Sequence, residues 1–225
     1  MSAAVHAGGL VVGAFARDNT RDVLCGFVYG FPTYENSFEG DSVGLHSDMM
    51  AVLPHYRGLG IGQRLKRFQR EWCLERSLNW ITWTFDPLQA KNAKLNVAHL
   101  GATASQYIVN PYGVLGGTLN SALPSDRLVA RWDLLREGEL EPPSPQRPLE
   151  NTPRTYALNA DTLTPNIVDE PRLYVATPED INTLRTADPD KASAWRLAQR
   201  EVFLALLARG YRVTRFVEGH YVLTR

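Results

Sequence analysis

Residues 49–62 read MMAVLPHYRGLGIG, and this stretch is the most informative part of the chain. An apolar run ends in a short polar turn, and Gly58, Gly60 and Gly62 then alternate at the start of an amphipathic segment. Glycine has no Cβ atom, so backbone N–H groups can approach a ligand closely there. A helix N-terminus adds unpaired amides and a partial positive charge. The pattern therefore predicts a strand, a turn and a helix that together bind an anion, most often a phosphate.

Two common phosphate-binding motifs do not fit this turn. A P-loop needs Lys and then Ser or Thr directly after its last glycine, whereas Gln63 and Arg64 follow Gly62. A dinucleotide-binding fold needs a third glycine where the chain has Leu65. The pattern present is Arg57-x-x-Gly60-x-Gly62, so we expect a different phosphorylated cofactor.

The composition argues against several classes of protein. The 225 residues carry 24 basic and 24 acidic side chains, so the formal net charge is zero. This balance disfavours a nucleic-acid binder that relies on a globally basic surface. Cys25 and Cys73 are too few for a disulfide framework and lack metal-ligand spacing, so we expect buried free thiols and no metal site. The chain shows no signal-peptide pattern and no apolar run approaching about 18 residues, which predicts a cytoplasmic protein without a membrane partner.

Hydrophobic periodicity predicts alternating strands and helices in the first 140 residues. Ile61, Leu65, Phe68 and Trp72 form an apolar stripe that is typical of a helix over residues 59–77. The other predicted elements are an opening hairpin (9–17 and 23–31), a loop (32–44), strands (45–53, 79–85, 102–109 and 127–134) and a short helix (90–100).

A proline-rich linker is predicted over residues 141–170, followed by a strand–helix–hairpin unit over residues 171–225 that packs on the core. Asp188 and Pro189 are expected to open its long helix, and Gly210 to end it. The predicted elements of this unit are a strand (172–176), a short helix (178–184), the long helix (189–208) and a hairpin (211–217 and 220–224).

The glycine turn in this setting resembles the coenzyme A pyrophosphate loop of the GNAT superfamily, the Gcn5-related N-acetyltransferases. The order of elements follows that superfamily from Gly9 to Tyr112. Further motifs resemble a bacterial branch of predicted acetyltransferases over nearly the whole chain. These motifs are WTFDPL (83–88), NA (92–93), PSDR (124–127), WR (195–196) and YVL (221–223).

The resemblance implies an α/β fold with a mixed, splayed central β-sheet, helices on both faces and a C-terminal βαββ extension. Residues 1–140 would form the acyl-coenzyme A core. The strand–helix–helix unit that usually opens the superfamily is missing ahead of Gly9. The C-terminal unit could replace it, and a mis-assigned gene start would explain its absence equally well.

Acetyl-coenzyme A or another acyl-coenzyme A is the co-substrate that the resemblance implies. The local charge fits, because residues 57–76 carry six basic and two acidic side chains. Backbone groups of Met50, Ala51 and Val52 would pair with the pantetheine amides, and Asn92 would supply a side-chain contact. The predicted pyrophosphate site comprises Arg57, Gly58, Leu59, Gly60, Ile61, Gly62 and Arg64.

Acyl transfer to an amine needs a base, a hydrogen-bond donor for the thioester oxygen and an acid for the thiolate. Alignment on the glycine turn places His46 where several superfamily members carry a catalytic glutamate, and histidine titrates near neutrality. A core histidine is the alternative interpretation. By the period of a strand, His46, Asp48 and Met50 share one face, so a histidine–carboxylate couple is predicted.

The general acid is the main departure from the superfamily pattern. Val97 stands at the position of the usual tyrosine. Tyr107 is therefore the candidate acid, with Tyr112 close by, and Asp86 is a candidate partner for the substrate ammonium group. Each is also compatible with a structural role.

We therefore predict an enzyme that moves an acetyl or succinyl group from coenzyme A to the amine of a small molecule, such as an amino acid. Transfer would be direct, within a ternary complex, because no activated Ser or Cys is visible. The alternative is an acyl-coenzyme A-binding or regulatory module without transferase activity. The absence of the usual tyrosine and of the opening strand–helix–helix unit favours this alternative. A homodimer is left open.

Overall fold

The structure is a computed structural model that describes residues 5–18, 21–37, 40–113, 123–135 and 153–225. Its strands are β1 (Leu10–Asp18), β2 (Arg21–Ser37), β3 (Gly40–Val52), β4 (Trp80–Phe85), β5 (Thr103–Ile108), β6 (Arg127–Asp133), β7 (Tyr156–Leu158), β8 (Arg172–Ala176), β9 (Arg212–Val217) and β10 (His220–Thr224). Its helices are α1 (Ile61–Leu74), α2 (Ala90–Ala93, continued by a π-helical turn over Lys94–His99), α3 (Ile181–Ala187) and α4 (Pro189–Ala208).

The chain divides into two compact units. The first comprises Met1–Trp83 and Arg131–Arg136, and the second comprises Thr84–Ala130 and Glu137–Arg225. Both contain helices packed on strands, which confirms the predicted mixed α/β class. The predicted boundary at residue 140 and the start of the linker fall within residues 136–152, outside the described residues, so that division stays a prediction.

The first unit is built on strands in the order β1-β2-β3-β4. β1, β2 and β3 are antiparallel neighbours, whereas β3 and β4 are parallel and are joined through α1. One face of α1 packs on β1, β2 and β3. Cys25, Val28, Ile61 and Leu65 are the buried centre of this contact, and Met50 and Val52 pack against it.

The predicted loop over residues 32–44 is wrong for the residues described, because β2 extends to Ser37 and β3 begins at Gly40. Pro32 pairs with Leu45 of β3, while the pairing of β2 with β1 ends at Gly30. Among the described residues, β2 therefore has a partner strand on one side in this stretch, and a residue without an N–H is tolerated at such a position. The polar composition of residues 32–44 suggested a loop, and it did not reveal that the extended chain pairs with β3.

A β-bulge interrupts β3 at Ser47 and Asp48. Tyr29 pairs with Met49 and Phe31 with His46, so Gly30 alone faces two residues of β3. A bulge of this kind shifts the alternation of side chains along the strand. As a result, Ser47 and Met50 both face α1, although they are an odd number of residues apart.

This bulge overturns one prediction. Because Ser47 faces α1, its neighbour His46 lies on the opposite face of β3. Met50 packs on the α1 side, so His46, Asp48 and Met50 do not share one face. Period-two reasoning failed because it assumed an uninterrupted strand.

The second unit has the strand order β6-β5-β9-β10-β8-β7. The predicted βαββ arrangement is present as β8, the helices α3 and α4, and the hairpin of β9 and β10. Asp188 accepts from the Lys191 amide at the start of α4, with Pro189 in the first turn, as predicted. Gly210, with φ of 85°, follows the end of α4.

The predicted linker contains a short strand that the sequence did not reveal. β7 pairs in parallel with β8, as Tyr156 with Tyr174 and Leu158 with Val175. Three residues are too few to display a period, so only the partner strand defines this element. Residues 141–152 of the predicted linker lie outside the described ranges.

Both cysteines are buried free thiols, as predicted. Among the helices that the structure describes, none combines the length and apolar composition that crossing a bilayer requires.

Candidate functional site

The glycine turn lies at the surface between β3 and α1. After a single 3-10 turn at Pro54–Tyr56, Gly58 and Gly60 adopt φ angles of 81° and 74°. These values belong to the left-handed region, which glycine reaches without the steric cost that a Cβ imposes. A Cβ built on either glycine would meet no atom within 4 Å, so the space in front of the turn is open.

The first amides of α1 are available to a ligand. The first intrahelical bond runs from the Arg64 amide to the Gly60 carbonyl at 3.0 Å, which leaves the amides of Ile61, Gly62 and Gln63 without a helical acceptor. Gly60 is the N-cap and offers no side-chain acceptor, and the first turn has no acidic residue. The predicted anion-binding geometry is therefore present at this turn.

The basic residues of this region divide into two groups. Arg57 and Arg64 are exposed beside the turn, and the Arg57 Nε donates to the Val52 carbonyl at 3.1 Å, which ties the turn to the end of β3. Arg70 instead donates to the Leu134 carbonyl, and Arg76 donates to the carbonyl of Trp72 in its own helix. Only part of the predicted cationic stretch can face an anion.

The edge of β3 beyond the bulge is open toward β4. The two strands pair at Leu45 with Ile81 and at His46 with Thr82, and within the described residues no pairing continues along Ser47–Val52. The Leu53 amide bonds to the Cys25 carbonyl of β2. Because antiparallel pairs alternate, Ala51 also directs its backbone groups toward β2.

By the same alternation, Met50 and Val52 direct their backbone groups toward the open edge. The Val52 carbonyl lies there, where it accepts from Arg57. Two of the three residues predicted to pair with pantetheine are therefore suitably oriented, whereas the backbone of Ala51 is not.

His46 is half-buried at the point where β3 and β4 separate. Its Nδ1 lies 3.2 Å from the Thr82 hydroxyl, and its ring packs on Phe31 with centroids 5.4 Å apart. Burial lowers the pKa of His46, the charge of Asp48 opposes this shift, and Lys66 adds to it. The imidazole is therefore neutral at pH 7 and can accept a proton. No hydrogen bond joins it to Asp48 in the described part of the chain, and Asp48 is exposed.

Comparison of the sequence with family models finds a similarity over the first part of the chain. Residues 3–96 match the model of the acetyltransferase (GNAT) family, and this segment contains the glycine turn, β3, α1 and β4. The similarity to that family covers 94 of the 225 residues. No curated protein of described function matches it.

Several solved structures are similar to the chain. NAA60 of Arabidopsis thaliana, solved with a bisubstrate analogue, is 12% identical, with 56% of this chain and 76% of that chain covered and a TM-score of 0.45. The IAA acetyltransferase of Bacillus cereus is 14% identical, with coverages of 59% and 81% and a TM-score of 0.44. The yncA protein of Salmonella typhimurium, solved with acetyl-CoA, is 17% identical, with coverages of 60% and 70% and a TM-score of 0.42.

Lys66 is a buried cation that the sequence did not single out. The predicted stripe placed Phe68 in the core, but Phe68 is 46% exposed, and α1 buries Lys66 and Gln69 instead. The Lys66 Nζ donates to the Ser47 hydroxyl at 2.8 Å and to the Gln69 Oε1 at 3.1 Å, and it lies 4.0 Å from the Trp83 ring centroid. Lys66 thus joins α1 to the bulge next to His46.

The burial of Lys66 predicts a pH dependence of stability. Burial lowers its pKa to about 7, while the unfolded chain keeps a lysine pKa near 10.5. Between these values the unfolded state binds the additional proton, so the free energy of unfolding rises with pH. From pH 7.0 to 8.5 we expect the wild type to gain about 1–2 kcal/mol relative to Lys66→Met.

Urea denaturation of both proteins at the two pH values measures this difference. The window ends at pH 8.5 because burial raises the pKa of the Cys73 thiol to about 12, so ionisation of this thiol in the unfolded chain opposes the Lys66 effect at higher pH. Equal pH slopes for the two proteins would contradict the burial of a titrating Lys66.

Asp86 was predicted to bind the substrate ammonium group, and Tyr107 was predicted to be the acid. Both belong to polar networks of the second unit. Both carboxylate oxygens of Asp86 lie 2.8 Å from Nη2 of the buried Arg196. The Tyr107 hydroxyl donates to Asp126 at 2.7 Å, and Arg200 binds the same carboxylate in a bidentate manner.

These contacts favour structural roles for both residues. Burial and the hydrogen bond to Asp126 raise the pKa of Tyr107. Burial also opposes the charged form of Asp126, but Arg200 and Tyr107 hold the pKa of Asp126 below its usual value. A hydroxyl that donates to a carboxylate is not free to protonate a thiolate, so the predicted acid role of Tyr107 lacks support here.

The remaining predicted positions lie on α2. Asn92 is exposed, so its predicted contact with the cofactor stays a prediction. Val97 is buried, as an apolar residue in place of the usual tyrosine should be. Within the described ranges, no group of three His, Cys, Asp or Glu side chains is placed to hold a metal ion.

Proposed function

We propose that the protein transfers an acetyl or succinyl group from coenzyme A to the amine of a small molecule. The observation that carries this proposal is the open glycine turn directly after the unpaired edge of β3. The turn suits the diphosphate, because exposed amides and Arg64 converge there. The backbone groups of Met50 and Val52 suit the amides of pantetheine, which need hydrogen-bond partners along an extended chain.

His46 is the group that the geometry favours as base. It lies where β3 and β4 part, close to the end of a pantetheine arm laid along Met50 and Val52. As a neutral imidazole it accepts the proton of the acceptor ammonium, directly or through a water. The amine nitrogen then bonds to the thioester carbon, the C–S bond breaks, and the thiolate of coenzyme A takes up a proton.

Direct transfer is favoured over an acyl-enzyme. Cys25 and Cys73 are both buried, and burial raises the pKa of Cys73 to about 12, so it is not a thiolate at neutral pH. Neither cysteine is therefore suited to attack a thioester, and the amine must reach the thioester carbon itself.

The acceptor that we propose is the α-amine of an amino acid, in a cytoplasmic enzyme. This choice rests on the family resemblance and on the neutral composition. The second candidate is an acyl-coenzyme A-binding module without turnover. It is supported by the buried Val97 at the usual acid position and by the engaged hydroxyl of Tyr107.

Release of free coenzyme A thiol distinguishes these functions. The protein is incubated with acetyl- or succinyl-coenzyme A and a panel of amino acids and polyamines, and its affinity for each thioester is measured separately by calorimetry. We expect thiol release that depends on the added amine. Binding without release over the whole panel would identify the module, and absence of binding would refute both candidates.

A further inference from the structure

The second unit contains a small polar cavity whose charge is unbalanced. Its volume is about 140 Å³, and it is separate from the glycine turn in sequence. Three guanidinium groups and one carboxylate line it, which leaves an excess of two positive charges. These four residues are Arg127, Arg185, Arg196 and Asp86, and Ser125, Gln89 and Ile181 complete much of the wall.

Arg196 is the most informative residue of this cavity. It is 1% exposed, and only its Nη2 is hydrogen-bonded, to Asp86. Its Nε and Nη1 are buried and have no hydrogen-bond partner in the described part of the chain, and its guanidinium group also interacts with the Tyr107 hydroxyl. Buried donors without partners are rare and cost about 1–3 kcal/mol each, so such a group calls for an explanation.

Side-chain hydrogen bonds hold the other walls of the cavity in place. Gln89 and Asn182 exchange two side-chain hydrogen bonds, at 3.1 and 3.2 Å, which fix the start of α2 against α3. Ser125 bonds to Asn110 through both its amide and its hydroxyl, at 3.0 and 3.1 Å. The cavity is therefore framed by ordered elements, and Arg127 and Arg185 are its half-buried cations.

We propose that this cavity binds a small carboxylate. Guanidinium groups match the planar geometry of a carboxylate and bind it in pairs of parallel hydrogen bonds. Arg127 and Arg185 would contact the carboxylate. The buried charge of Arg196 would stabilise it electrostatically, without a direct hydrogen bond. The volume suits a compact anion and excludes a ligand as large as coenzyme A, so this site is distinct from the glycine turn and does not depend on acyl transfer.

Calorimetric titration with succinate at low ionic strength tests the proposal, with inorganic phosphate and neutral succinamide as comparison ligands. We expect succinate to bind, and Arg185→Ala to weaken it about tenfold, since one charge-assisted contact of about 1.4 kcal/mol is lost. Arg127→Ala should act in the same way. The matched control is Lys191→Ala, which removes an exposed cation from α4 and should leave the affinity within twofold.

Each other outcome overturns the assignment. Absence of succinate binding excludes a carboxylate site, as does equal binding of succinamide. Tighter binding of phosphate would show that the cavity selects another oxyanion. Succinate binding that Arg185→Ala and Arg127→Ala leave unchanged would place the anion elsewhere, for example at the glycine turn. Circular dichroism and thermal unfolding of each variant establish that the fold is retained.

Discussion

Replacing Gly60 with valine should weaken coenzyme A binding by about 100-fold or more. Gly60 adopts φ of 74°, which a β-branched residue reaches only with strain, so the turn must change its conformation. The N–H groups that follow Gly60 would then no longer converge on the diphosphate. Losing two hydrogen bonds to a charged group, at about 1.5 kcal/mol each, accounts for a loss of this size.

Gly210→Val is the matched control for this substitution. Gly210 has φ of 85°, and a Cβ there would also meet no atom within 4 Å, so the backbone penalty is similar. Both variants should lose comparable stability in urea, but only Gly60→Val should lose affinity for coenzyme A in calorimetry. Unchanged affinity in Gly60→Val would show that the turn is not the diphosphate site.

Substitution of His46 by alanine should lower kcat/KM by about 10²–10³, which is the range expected for loss of a general base. The dissociation constant for acyl-coenzyme A should change little, because His46 lies beyond the edge of β3 that we propose for pantetheine. Since burial lowers the pKa of His46, wild-type kcat/KM should fall only below about pH 6.5. His46→Ala should lack that acidic limb.

The pH profile separates a base from a core histidine. Thr82→Val removes the hydroxyl that lies 3.2 Å from the His46 Nδ1 while preserving most of the side-chain shape. We expect this variant to retain an acidic limb with a shifted midpoint and a smaller loss of rate. If His46→Ala lost stability but kept both its rate within twofold and the wild-type pH profile, His46 would be structural, and another group or water would remove the proton.

Features defined by neighbouring residues could be predicted from the sequence. The glycine turn, the amphipathic α1, the Asp188–Pro189 helix start and the hairpin of β9 and β10 all follow from local steric and hydrogen-bond rules. The turn between β9 and β10 illustrates this, because Glu218 and Gly219 adopt the positive φ angles that a two-residue hairpin requires.

Features defined by distant partners could not be predicted. Pro32 indicated a loop, but its strand tolerates proline because β3 is the one strand that pairs there in the part of the chain that the structure describes. The stripe of α1 included Phe68 because spacing alone cannot tell which face of a helix its neighbours cover. The sequence did not single out Lys66, and its contacts with Ser47, Gln69 and Trp83 show how a buried ammonium group is accommodated.

The glycine turn and the similarity to the GNAT family follow from the sequence alone, because a short run of residues carries both and its backbone freedom depends on its own side chains. The tertiary structure decided what surrounds that turn. Pairing with β2 created the bulge that separates His46 from Met50, and the divergence of β4 opened the edge beside Met50 and Val52. Strand register and burial depend on residues far apart in the chain, and those contacts exist only once it has folded.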